Sequence, residues 1–185
     1  MLIKLRGEEH RTLVHRLRDE AEQWLAAKGL DQYRGPRSRL AHDDIDRLYD
    51  KEAFYGWLVD GEVKAVVAVD EHDPDFWTVE EMTEPGVTYI TRFLVAEHGR
   101  GYGAALLEAL AEHEAARGQR LMRLDCWRTN TGLHRYYLQH GFRHVRTEVV
   151  PGRMSGALFE RSFETEQRRV DLQSVNTASQ ASSRL

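Results

Sequence analysis

The stretch from Thr88 to Leu107, Thr-Tyr-Ile-Thr-Arg-Phe-Leu-Val-Ala-Glu-His-Gly-Arg-Gly-Tyr-Gly-Ala-Ala-Leu-Leu, constrains this chain more than any other. Tyr89 to Val95 is β-branched and aromatic, which predicts a strand. Gly99, Gly101 and Gly103 interrupt it, and helical periodicity resumes from Ala104 to Ala116. Alternating glycines let a backbone turn with positive φ and approach a ligand closely. The first amides of the following helix have no intrahelical acceptor and lie at the positive end of its dipole, so the junction suits an anion. No lysine follows as a P-loop requires, and Leu106 and Ala104 stand where a dinucleotide fingerprint needs its third glycine.

Composition narrows the class. The 185 residues suit one domain, and 41% hydrophobic with 30% charged content fits a soluble globular protein. No apolar run reaches the length of a membrane span, and the first residues carry no signal-peptide core. A formal charge of −4 argues against coating nucleic acid. Cys126 is the sole cysteine, so internal disulfides are excluded and a cytoplasmic location is expected. Arginine outnumbers lysine, as in GC-rich bacterial coding.

Read in order, Leu2 to Arg6 predicts a short strand and Glu8 to Lys28 an amphipathic helix that ends at Gly29. A loop from Leu30 to Arg39 leads to a second helix, starting at Ser38 or His42 and ending at Asp50. His42, Asp43, Asp44 and Asp46 invite a metal reading, but an acid-rich first helical turn explains them without one. Strands at Gly56–Val59 and Val63–Val69 flank the hairpin dipeptide Asp60-Gly61. The run Ala65 to Val69 is apolar on both faces, so it should be covered on both sides. Residues 71–86 read as a loop with at most a short helix. A strand at Leu121–Trp127, a short helix at Leu133–Gln139 and strands at His144–Val150 and Gly156–Phe163 follow. This order predicts an α+β layered domain over 1–163 with about four helices, and a polar, flexible tail over 164–185.

A second stretch, Leu124 to Phe142, presents Asn130, Tyr137, Gly141 and Phe142 after a strand and around a short helix. With the glycine junction it resembles the two sequence motifs of the GNAT superfamily of acyl-CoA-dependent N-acetyltransferases. The first motif, Arg/Gln-x-x-Gly-x-Gly/Ala, fits in two frames. His98-x-x-Gly101-x-Gly103 keeps the leucine pair of the helix at Leu106 and Leu107. Arg100-x-x-Gly103-x-Ala105 keeps the letters and shifts the helix. The first frame is preferred, and whether His98 or Arg100 takes the leading role stays open. The second motif fits without a gap.

The resemblance implies a mixed, mostly antiparallel sheet of six to seven strands, splayed between the strands at 88–96 and 121–127. It implies acetyl-CoA as co-substrate, no metal, and transfer of an acetyl group to a primary amine of a small molecule or protein by direct attack on the thioester. Tyr137 becomes the candidate general acid. Phe93, Leu94, Val95, His98, Gly99, Arg100, Gly101, Tyr102, Gly103, Ala104 and Asn130 become the candidate cofactor contacts, with an amide near Leu94 or Val95 facing the carbonyl oxygen. Gln32, Tyr33 and Trp127 are the candidate acceptor contacts. The base is open among Glu81, Glu84, Glu97 and Asp125. No nucleic acid or membrane partner is expected, and a homodimer is left open. Tyr136 reads as packing, Asn130 as a helix cap that also faces the cofactor, and Cys126 as a buried strand residue. The rival reading is a non-catalytic acyl-CoA-sensing domain of the same fold.

Overall fold

A computed structural model describes residues 1–33 and 40–163. The expected tail at 164–185 and the rest of the loop after Tyr33 lie outside the described residues. Among the described residues, strands β1 (Leu2–Lys4), β2 (Phe54–Val59), β3 (Glu62–Asp70), β4 (Val87–Val95), β5 (Leu121–Trp127), β6 (Arg143–Thr147) and β7 (Ser155–Ser162) form one sheet ordered β1-β2-β3-β4-β5-β7-β6. All neighbours are antiparallel except β4 and β5, which are parallel. Helices α1 (Gly7–Ala27), α2 (Ala41–Asp50), α3 (Val79–Thr83), α4 (Tyr102–Ala116) and α5 (Thr131–Gln139) complete the described fold.

The expected α+β architecture stands, with one helix more than expected. α3 forms inside the acidic connection because Thr78 and Glu81 close a capping box: the Thr78 hydroxyl accepts from the Glu81 amide, and the Glu81 carboxylate accepts from the Thr78 amide. α1 ends as its sequence predicts, with Gly29 at φ +72° and the amides of Gly29 and Leu30 returning to Ala26 and Leu25.

β3 shows why the sheet is covered on both faces. Ala65 and Val67 pack with Leu106, Leu107 and Leu110 of α4, Met122 of β5 and Tyr137 of α5. Val66 and Ala68 pack with Val14 and Leu17 of α1 and with Ile45 and Leu48 of α2. The four β3 residues are wholly buried, so alternate side chains feed two core layers. No helix among the described residues is long and apolar enough to cross a membrane.

Two irregularities prepare the site. Opposite β3, residues Arg92 and Phe93 stand against the single residue Val67, a bulge in which Arg92 takes φ +50°. On its other side β4 pairs with β5 only from Val87↔Leu121 to Tyr89↔Arg123. Beyond that point the strands part. The edge of β4 that faces β5 then has no strand partner from Ile90 to Val95 among the described residues.

Candidate active site

The fork between β4 and β5 opens into a cavity of about 1320 Å³. One end is the glycine junction. Gly99 and Gly101 both sit at φ +77°, and a Cβ at either would meet nothing within 4 Å. Gly101 is the N-cap of α4, whose first backbone bond runs from the Ala105 amide to the Gly101 carbonyl. The amides of Tyr102, Gly103 and Ala104 have no acceptor among the described residues, so three donors at the positive helix end border open space. These features fit a diphosphate.

Gly103 serves a different purpose from its two neighbours. A Cβ there would lie 2.8 Å from the Tyr136 hydroxyl, 2.9 Å from Phe93 Cζ and 3.2 Å from Val95 Cγ1. Its missing side chain seats α4 against β4 and α5. Tyr136 packs as expected, and burial pushes its phenol up to about 12. It also lines the cavity, together with Phe93, Leu94, Val95, His98, Tyr102 and Ala104. His98 stacks on Trp24 of α1 with ring centroids 3.8 Å apart and planes 5° apart, and burial lowers its pKa. Arg100 is exposed and meets Glu97 at 3.7 Å.

Tyr137 is buried at 4% exposure and lines the same cavity from the α5 side. Its hydroxyl has no hydrogen-bond partner among the described residues, and burial holds the phenol protonated well above its ordinary range. Cys126 is also buried, which pushes its thiol up and leaves no thiolate for nucleophilic work. Asn130 caps α5, its Oδ1 accepting from the Leu133 amide at 3.0 Å. Its Nδ2 donates to Gln32 Oε1 at 2.7 Å, so Asn130 joins two candidate contacts of different assignment.

The segment after α1 is clamped onto the end of β5. Trp127 Nε1 and the Thr129 hydroxyl both donate to Asp31 Oδ1, at 2.8 and 2.9 Å, and these bonds hold the Asp31 carboxyl below its ordinary range. Tyr33, at φ +70°, presents its ring edge-on to Trp127 with centroids 6.4 Å apart. Gln32, Tyr33 and Trp127 therefore share one wall, but Gln32 and the indole N–H of Trp127 are already engaged within the protein.

The four base candidates separate. Glu81 meets Arg146 at 2.6 and 2.8 Å, which brings its pKa down to about 2. Glu84 accepts from Arg123 at 2.6 Å. Neither lines the cavity. Glu97 does, and is paired with Lys64 at 3.3 Å. Asp125 lines the cavity just beyond the last β4–β5 pair, where the Tyr89 hydroxyl donates to it. Burial raises the pKa of Asp125, against the bonds from Tyr89 and Ser155. His72, its ring tilted against that of Tyr89 with centroids 4.8 Å apart, is lowered to about 4, chiefly by burial and then by Arg123. Among the described residues no cluster could hold a metal ion.

Tyr89, Asp31 and His72 carry no motif in the sequence. A signal for Asp31 exists only in the fold, since its partners lie about a hundred residues away in the chain.

Residues 12–142 match a family model described as the acetyltransferase (GNAT) family. No curated protein sequence matches the chain. Among solved structures, a GNAT-family acetyltransferase from Streptococcus agalactiae is 16% identical over 89% of this chain and 96% of that one, with a TM-score of 0.71. A GNAT-family acetyltransferase from Listeria monocytogenes is 15% identical over 88% and 94%, at 0.68. A ribosomal-protein-alanine N-acetyltransferase from Brucella melitensis is 12% identical over 88% and 99%, at 0.61. At these identities the likeness concerns the fold.

Proposed function

The chain belongs to the GNAT family of acetyltransferases, and on that premise we propose that residues 1–163 form a catalytic domain that moves an acetyl group from acetyl-CoA to a primary amine. The observation that carries this reading is the fork. The strands part after Tyr89 and Arg123, and the resulting cavity runs from the unpartnered amides at the start of α4 to Asp125 and Tyr137. When bound, acetyl-CoA supplies an activated thioester.

The residues divide the work by layer. The amides of Tyr102, Gly103 and Ala104 hold the diphosphate, with Gly99 and Gly101 leaving room for it and His98 or Arg100 beside it. The free edge of β4 across Phe93, Leu94 and Val95 pairs with the amides of the pantetheine arm, as an added strand would. An amide at Leu94 or Val95 offers a hydrogen bond to the carbonyl oxygen as charge gathers there. Asn130 fixes Gln32 and the start of α5.

Asp125 takes a proton from the acceptor ammonium, leaving the free amine to attack. Its raised pKa favours this step, and Tyr89 orients the carboxylate. Tyr137 gives its proton to the departing thiolate from the opposite face of the sheet. The amide nitrogen sheds its surplus proton, so the balance is acetylated amine, thiol and one proton. Gln32, Tyr33 and Trp127 border the acceptor. The amine belongs to a small molecule or a protein, and the Brucella relative is named for a ribosomal-protein alanine. A single buried thiol suits a reducing cytoplasm.

The test is release of free thiol from acetyl-CoA with a panel of primary amines, alongside calorimetry with coenzyme A. Amine-dependent thiol release supports the transferase. Tight coenzyme A binding without release for any amine would leave a sensing domain instead.

A further inference from the structure

Arg18 is a charge placed where the packing calls for an apolar residue. It falls among Val14, Leu17, Ala21 and Leu25 on the buried face of α1 and is only 2% exposed. A guanidinium has five N–H donors. One protein acceptor among the described residues meets it: Glu22 Oε2, at 2.9 Å from Nη1. Glu22 itself lies outside the cavity wall, whereas Arg18 lines the cavity. The guanidinium carbon stands 3.8 Å from the centre of the Tyr33 ring, which in turn meets Trp127, two residues along β5 from Asp125. A buried cation is costly unless its donors are met, and among the described residues Glu22 supplies the one hydrogen bond that Arg18 makes.

The other arginines on this wall are already met by carboxylates: Arg47 by Asp44 and Asp70, Arg92 by Asp44, and Arg153 by Asp73 and Asp75. Those carboxylates line the cavity as well, whereas the carboxylate that meets Arg18, Glu22, stands off this wall. We propose that Arg18 is the anion-recognising residue of the acceptor pocket, so that the preferred acceptor is an amine that also carries a carboxylate. The planar guanidinium suits a carboxylate bidentately, and the Tyr33 ring fixes its plane. Asp125 marks the ammonium end and Arg18 the carboxylate end. This proposal rests on the transferase reading of the cavity.

The test compares glycine, 4-aminobutanoate and 6-aminohexanoate with their amides as acceptors. The wild-type protein should favour at least one carboxylate over its amide by about tenfold or more in kcat/KM, as expected for a charge-assisted bond. Arg18→Gln should erase that ratio while leaving the amide's kcat/KM and the affinity for acetyl-CoA within about twofold. Arg18→Lys, which keeps the charge and loses the fork, should retain part of the ratio. Equal loss for carboxylate and amide, or a fall in acetyl-CoA affinity with the ratio intact, would overturn the proposal. So would a wild type that shows no carboxylate preference while it turns over amines.

Should no amine be turned over, calorimetry with the N-acetylated carboxylates and their amides gives an independent reading. Carboxylate-selective binding that Arg18→Gln abolishes supports the anion site while the transferase reading falls. Absence of such binding overturns the anion site as well.

Discussion

The Tyr89 hydroxyl on β4 donates to the Asp125 carboxylate on β5 at the point where the two strands cease to pair. Register explains the contact. Tyr89 lies opposite Arg123, and Asp125 is the next residue of β5 on the same face.

Asp125→Asn should therefore separate activity from stability. Removing a working base lowers kcat/KM by about 10²–10⁴ at neutral pH. It should also flatten the acid limb of the pH–rate profile, which in the wild type lies above the ordinary carboxylate range because the Asp125 pKa is raised. The native state then holds its proton more tightly than the unfolded chain does. Stability consequently falls as pH rises from the unfolded towards the folded pKa, and the penalty persists at pH 7. The asparagine variant loses that penalty while its amide oxygen can still accept from Tyr89. Its melting temperature at pH 7 should equal or exceed the wild type's; a marked fall would remove the desolvated carboxylate from this account.

Tyr137→Phe deletes a hydroxyl that bonds to nothing among the described residues, in a ring packed against Phe142 and Phe159. Folding should thus be indifferent to the change. Catalysis should not: kcat should drop by about 10²–10⁴ with acetyl-CoA affinity unaltered. Steady-state kinetics with calorimetry decides it, and an unchanged kcat would take Tyr137 out of proton transfer.

Most of the fold is legible in the sequence because it rests on local patterns. The Asp60-Gly61 hairpin, the Gly29 helix stop and the doubly apolar β3 follow from turn chemistry and periodicity. The short helix α3 is the exception, since its capping box sits in an acidic segment with no apolar run behind it. The cradle is legible for the same local reason. The Tyr89–Asp125 bond and the Asp31 clamp are not, because each joins residues whose meeting is set by strand register or loop docking. Arg18 left a trace, a charge within the apolar stripe of α1, but periodicity alone cannot tell a snorkelling arginine from one that faces a cavity.

The glycines of the junction should fail in different ways. In Gly103→Ala the new methyl meets Phe93 and Val95 as well as the Tyr136 hydroxyl, and over-packing of this kind costs about 1–3 kcal/mol. In Gly101→Ala the methyl has open space, and the loss, about 1–2 kcal/mol, comes from φ +77°. Phenylalanine at 136 separates the two. Tyr136→Phe should relieve part of the Gly103→Ala defect and none of the Gly101→Ala defect, measured as melting temperatures of the single and double variants. Equal relief in both backgrounds would show that the crowding at Gly103 is not what its missing side chain avoids.

Away from the chemistry, Arg146 of β6 ties α3 to the sheet, and acid should undo it. Its guanidinium donates to both Glu81 oxygens, to Glu148 at 2.7 Å and to the Phe76 carbonyl at 2.8 Å. The Glu81 pKa is depressed to about 2, chiefly by the bond from Arg146. A depressed carboxylate contributes its stability fully above the unfolded value and loses it as pH falls through the folded one. The Glu81 share of stability is thus present at neutral pH and disappears between about pH 4.5 and 2. Arg146→Met keeps some of the packing over Trp77 and removes the charge. It should lower the melting temperature at pH 7, and the gap from wild type should narrow on acidification across that window. Because Arg146 holds the Phe76 carbonyl, next to the cavity-lining residues 73–75 and their partner Arg153, the variant should also raise KM for the acceptor more than it lowers kcat. A gap that stays constant down to pH 2 would mean that packing, and not the ion pair, is what Arg146 supplies.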